Sequence, residues 1–134
     1  MHAVFDIKPA DAAPIWRQIE EGMRRLITVG SLVPGAPVPS VRDLARDLRV
    51  NPATVARAYQ RLTEAGVLSV KRGDGTYVAD EPAQLKKSER HELLRDAATR
   101  YASAAISAGA ALDEAVDALD AAYQRLGREH RRRA

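Results

Sequence analysis

The sequence predicts a mainly α protein with a small β-hairpin wing: a winged helix-turn-helix domain over residues 1–80 and a two-helix dimerisation tail over residues 81–134. Three observations predict it. Two short amphipathic segments, 40–48 and 51–65, meet at a turn too short for any other element, Arg49-Val50. Two β-rich runs then flank the glycine-bearing stretch Arg72-Gly73-Asp74-Gly75. Composition finally changes at Glu81-Pro82, from a varied segment holding six of the seven prolines to one rich in Ala, Leu, Arg and Glu.

Taken in order, residues 4–7 alternate apolar and polar side chains and predict a short strand. Pro14 suits the first turn of a helix whose Ile15, Ile19, Met23, Leu26 and Ile27 recur at helical spacing, and Gly30 ends it. Pro34-Gly35-Ala36-Pro37 predicts a loop, since proline removes backbone donors. Ser40 is an N-cap whose hydroxyl can take the amide near Asp43, and Val41, Leu44, Ala45 and Leu48 form the apolar stripe behind it. Asn51-Pro52 restarts a helix in the preferred order of cap and N1 proline, with Val55, Ala58, Tyr59, Leu62 and Ala65 facing inward and Gly66 as its C-terminal stop. Residues 67–71 and 76–78 predict the two wing strands.

Composition narrows the function classes. The chain of 134 residues carries a formal charge of +3, which permits a nucleic-acid partner without requiring one. It has no cysteine, which excludes disulfides, zinc fingers, iron-sulfur ligation and thiol catalysis. His2, His91 and His130 are scattered, and none has acids or other histidines at metal-ligand spacing, so neither a metal nor another cofactor is expected. No nucleophile-base pair or phosphate loop suggests an enzyme. Met1 to Ala13 is interrupted by Asp6, Lys8 and Asp11 and lacks the apolar core of a signal peptide, and no stretch is long enough to span a bilayer. A cytoplasmic location is the expectation.

In a helix-turn-helix the second helix presents its N-terminal residues to the major groove while the first crosses the backbone. With Val55 facing the core, a rotation of about 100° per residue puts Ala53, Ala56, Arg57 and Gln60 on the far side. Arg57 can bond a guanine edge bidentately and Gln60 an adenine edge; the alternative for Arg57 is a solvated surface arginine. Asn51 and Thr54 stand at the helix start, where free amides and the positive dipole end attract phosphate; for Asn51, plain capping is the alternative. Ser40 is counted with the DNA-contacting residues as well as being a cap, and Arg42, in the turn after it, either meets DNA or pairs with Asp43, Asp47 or another surface acid. Lys71 and Arg72 flank Gly73, where a missing Cβ lets the wing tip approach a groove, unless the hairpin is merely solvated.

The segments Pro14-Ile15-Trp16-Arg17-Gln18-Ile19, Pro34-Gly35, Pro39 to Ala45, Val50 to Val55, Ala58-Tyr59, Leu62, Gly66 and Gly73 to Val78 together resemble the DNA-binding domain of GntR-family bacterial regulators, from about Pro14 to Val78. The short tail resembles that of the YtrA-type subfamily, whose members lack a large effector-binding domain and dimerise through a pair of helices. The resemblance implies DNA contacts at Arg42, at the start of the recognition helix, and at Gly73 with Arg72. Some family members have arginines where this chain has Pro52 and Ala56, so either Arg57 compensates here or the operator preference differs.

In the tail, Ser88 can cap a helix carrying Leu94, Ala97, Ala98, Tyr101, Ala104, Ala105 and Ala108 up to Gly109. A second helix, beginning near Asp113, carries Val116 and Tyr123 beside Leu112, Leu119 and Leu126, which are heptads apart. The two helices have more apolar face than they can cover for each other, which predicts a homodimer; the alternative is packing on the chain's own winged helix. Arg128 and Arg131 to Arg133 form a terminal basic run of the kind usually left in solvent. The expected partner is a double-stranded DNA operator, palindromic and bound by a dimer that acts as a repressor, with any small-molecule effector unspecified. A winged-helix architectural or protein-interaction module is the competing class, separable by the sequence and salt dependence of DNA binding.

Overall fold

The structure, a computed structural model, describes residues 5–132, with side chains through residue 128. The elements run α1 (Ile15–Thr28), α2 (Val41–Leu48), α3 (Pro52–Glu64), β1 (Leu68–Lys71), β2 (Gly75–Val78), α4 (Lys87–Ser107) and α5 (Leu112–Arg132). This is the winged helix-turn-helix order with a helical C-terminal part.

Two caps set the helix-turn-helix. Ser40 Oγ accepts the Asp43 amide at 3.0 Å, and Asn51 Oδ1 accepts the Ala53 amide at 2.9 Å. Between them Arg49 closes α2 in the left-handed region, at φ 58°, and the next amide, Val50 N–H, reaches back to the Ala45 carbonyl at 3.0 Å. Glycine normally takes that place, because a Cβ there crowds the carbonyl. Gly66, at φ 82°, does the same for α3, with Val67 N–H donating to Leu62 O at 2.9 Å.

The core of the first unit gathers Ile19, Met23 and Leu26 of α1, Leu44 and Ala45 of α2, Val55, Ala58, Tyr59 and Leu62 of α3, and Val67, Leu68 and Val78 around the wing. The Tyr59 hydroxyl donates to Pro39 O at 2.7 Å, so the start of α2 is tied to the middle of α3. Burial holds the Tyr59 phenol neutral well above its ordinary range.

Four expectations need correction, the first being that Ala65 faces inward: it is exposed and stands just past the last residue of α3. Residues 5–7 are not a strand, and Val4 lies outside the described residues. Phe5 is instead a core residue, 8% exposed, whose ring lies where a Cβ on Gly22 would meet it at 2.7 Å. The arm is held further along by Gln18, which bonds the amide and carbonyl of Lys8 and the carbonyl of Ala13. Residues 35–38 are more than a loop: Gly35 and Val38 donate to Val78 and Thr76, and Val78 donates back to Ala36, so the stretch borders β2 as a third, short strand would. Ser88 is not a cap, because α4 starts one residue before it, behind Lys86.

The wing is an antiparallel pair with Leu68 opposite Val78 and Lys71 opposite Gly75, and its turn is closed by Asp74 N–H on Lys71 O at 2.9 Å. Residues 84–129 form a second unit. There α4 ends at Gly109, at φ 81°, with Ala110 N–H on Ala105 O, and the Tyr101 hydroxyl of α4 donates to Ala115 O of α5 at 2.6 Å. No described helix is long and apolar enough to cross a membrane.

Candidate nucleic-acid interface

The outward face of α3 is built by exclusion. Val55, Ala58, Tyr59 and Leu62 are consumed by the core, and the exposed Ala53, Ala56, Arg57 and Gln60 lie opposite them. Ala53 in the first turn and Ala56 at the start of the second leave that end of the helix low and methyl-lined, which suits close approach to a base edge such as a thymine methyl.

The two long side chains are not free. The Arg57 guanidinium lies over the Trp16 ring of α1, 4.7 Å from its centroid. Gln60 Nε2 donates to Glu64 Oε1 at 3.2 Å, one turn on. Among the described residues, Arg57 has no carboxylate partner. Its neighbour Arg61 pairs with Glu20 at 2.7 Å and also covers Trp16, at 4.4 Å. Helical periodicity puts Arg57 on the far face but does not reveal this ring, which depends on how α1 packs on α3.

The start of α3 is more self-contained than the sequence suggests. Asn51 takes the Ala53 amide with its side chain and the Thr54 amide with its carbonyl, at 2.9 Å each. Those amides are therefore satisfied within the cap. Thr54 is half-buried and Asn51 exposed. At α2, Ser40 is exposed and capping, while Asp43 pairs with Arg46 at 3.0 Å rather than with Arg42. Arg42 is exposed and makes no ion pair among the described residues, which leaves its guanidinium available to an anion.

In the wing, Arg72 and Gly73 are exposed at the tip, with Gly73 at φ 77° and no atom within 4 Å of a Cβ built there. Lys71 lies over the Tyr77 ring at 4.4 Å, and the Tyr77 hydroxyl donates to Asp74 Oδ2 at 2.9 Å, which braces the turn from one side. That bond to a carboxylate raises the Tyr77 pKa. From Pro39 to Val78 the chain has seven basic and four acidic side chains, so the formal charge of +3 is concentrated in this segment. No cluster of described residues could hold a metal ion.

Comparison with known proteins bears on the family and the fold. Residues 16–78 match the model of the gntR family of bacterial regulatory proteins. YhcF of Bacillus subtilis, an HTH-type transcriptional regulator, is 34% identical over 65% of this chain and 67% of its own length. The chain belongs to the GntR family. The transcriptional repressor YtrA of B. subtilis is 39% identical over 58% of this chain, and the match spans 59% of YtrA. Among solved structures, a transcriptional antiterminator from Listeria monocytogenes has a TM-score of 0.70 at 26% identity, covering 94% of both chains. The DNA-binding domain of AraR bound to operator ORX1 has a TM-score of 0.52 at 26% identity, covering 58% of this chain and 96% of that one.

This membership places the winged helix-turn-helix among regulators rather than enzymes. Its signal in the sequence was strong because caps, turn glycines and apolar spacing recur together in one order.

Proposed function

We propose that this GntR-family chain is a DNA-binding transcriptional repressor that reads an inverted-repeat operator as a homodimer. The observation that carries DNA binding is the division of α3, whose inner face is buried and whose face bearing Ala53, Ala56, Arg57 and Gln60 is left open, together with an exposed Arg42 that has no ion pair among the described residues. Arg57 and Gln60 carry base readout, Ala53 permits the close approach, and Arg42, Thr54 and Arg72 contact backbone, with Gly73 admitting the wing tip to the groove. Ser40 and Asn51 act as caps that hold the two helix starts in register. That a neighbour in fold, the DNA-binding domain of AraR, is bound to an operator supports DNA binding as the role of this domain.

The tail supplies the dimer in this account. No residue of α4 is buried, and Leu94, Leu112, Val116, Leu119 and Tyr123 are all more than half exposed within one chain. Tyr101 and Leu126 are the least exposed of the proposed contact residues, at 37% each, and Leu93 and Ile106, which the sequence reading did not single out, join the same apolar set. Covering so much apolar surface with a second copy gains roughly 25 cal/mol per Å². A two-fold dimer presents two α3 helices to half-sites one helical turn apart.

Selection of bound duplexes from a random pool tests the reading. It should recover one inverted repeat with half-sites about 10 bp apart or a multiple of that. Recovery of unrelated sequences would support an architectural binder instead.

A further inference from the structure

Three arginines surround the one tryptophan of this chain. Arg61, Arg57 and Arg17 lie 4.4, 4.7 and 5.5 Å from the Trp16 centroid. Among the described residues only Arg61 of the three has a carboxylate, Glu20 at 2.7 Å. Arg57 therefore has the indole face as its sole partner among the described residues, beside a guanidinium already neutralised and another that is not. Trp16 sits on α1, outside the helix-turn-helix, and is half-buried, so its ring is a fixed surface rather than a mobile one.

We infer that Trp16 is a positioning residue for sequence readout: its ring holds the Arg57 guanidinium beside the groove-facing side of α3, so that Arg57 meets a base edge already ordered. The inference rests on the reading of α3 as the recognition helix. An arginine on a free four-bond stem loses much of its rotamer freedom when it forms a bidentate contact, whereas one already stacked on an aromatic plane has lost part of it beforehand. The stack leaves the edge of the guanidinium, where its N–H donors lie, open to a guanine. The Glu20 pair keeps Arg61 in place, and the remaining positive charge of Arg17 disfavours retreat of Arg57 along the ring.

The test uses the full chain. In the free protein, Trp16 is the sole tryptophan and can be excited apart from the tyrosines at the red edge of the absorption band, so Arg57→Ala and Arg61→Ala should each change its fluorescence. Unchanged spectra in both variants would show that the stack does not form and would overturn the inference while leaving the reading of α3 untouched. Binding is then measured on the selected duplex and on a scrambled one. Trp16→Leu should weaken binding to the selected duplex about 3- to 10-fold, the cost of ordering one long side chain, and change the scrambled duplex less than about 2-fold. Trp16→Phe, which keeps a ring, should retain most of the affinity, and the Trp16→Leu loss should vanish in an Arg57→Ala background. Equal losses on both duplexes, a Phe variant as weak as Leu, or a loss that persists without Arg57 would each refute the role. Absence of any sequence preference in the wild-type chain would remove the recognition reading itself, and the inference with it. Thermal melts of each variant separate these outcomes from misfolding.

Discussion

Gly22 lies in the middle of α1, where glycine is a poor helix former, and its replacement by alanine should stabilise an ordinary helix by about 1 kcal/mol. Here the opposite is expected. A Cβ on Gly22 would stand 2.7 Å from Cγ and Cδ2 of Phe5, and Gly22 is itself buried, so the phenyl ring must leave its seat. Giving up the burial of that ring costs roughly 1.5–3 kcal/mol. Gly22→Ala should therefore destabilise the chain by about 0.5–2 kcal/mol, the ring's loss less the propensity gain. Phe5→Ala alone should cost roughly 1.5–3 kcal/mol, below the usual range for a core phenylalanine because the arm carrying it lies outside the helices and strands and can collapse. In that background the space is vacant, and Gly22→Ala should become stabilising by about 1 kcal/mol. Urea denaturation of the four proteins of this double-mutant cycle reads the sign change directly. Stabilisation by Gly22→Ala in both backgrounds would refute the docking of Phe5 on α1.

Other outcomes follow from the same contacts. Tyr59→Phe removes the bond to Pro39 O and should cost about 1–2 kcal/mol, seen as a lower melting temperature. Because burial raises the Tyr59 pKa in the folded state, its contribution is fully present below the ordinary tyrosine pKa of 10.0 and is lost as pH climbs beyond it. The wild-type melting temperature should therefore fall more steeply than that of Tyr59→Phe in that alkaline range; parallel slopes would contradict the assignment. Arg49→Gly relieves a left-handed residue at φ 58° and should raise stability by roughly 0.5 kcal/mol, the left-handed cost less the entropy cost of glycine. A lower melting temperature would show the strain to be absent. Leu119→Glu, on a residue 53% exposed within one chain, should shift sedimentation from dimer to monomer while leaving the far-ultraviolet circular dichroism intact. A persisting dimer would locate the interface elsewhere.

The parts of this fold legible in the sequence are those set by short-range rules. Ser40 and Asn51 cap because the amides they accept lie three and two residues away, and Gly66 and Gly73 mark turns because backbone geometry demands it. What escaped depends on partners distant in the chain. Phe5 reaches Gly22, residues 35–38 border β2, and Arg57 leans on Trp16, forty-one positions earlier; no local pattern encodes any of these. Arg49 in a left-handed cap also broke the glycine rule, since its turn is held by the Val50 bond to Ala45 O and by the packing of α2 on α3. The candidate site divides the same way. Which residues of α3 face outward followed from helical periodicity, while the engagement of Arg57 with the ring and of Gln60 with Glu64 did not.

The central claim, that the open face of α3 reads DNA sequence, is tested most directly by titrating the full chain onto the selected inverted repeat and onto a scrambled duplex across a salt series. A preference on the order of 10³-fold or more is expected, with affinity on both falling linearly in log salt. Equal affinity for the two duplexes at every salt concentration would contradict it.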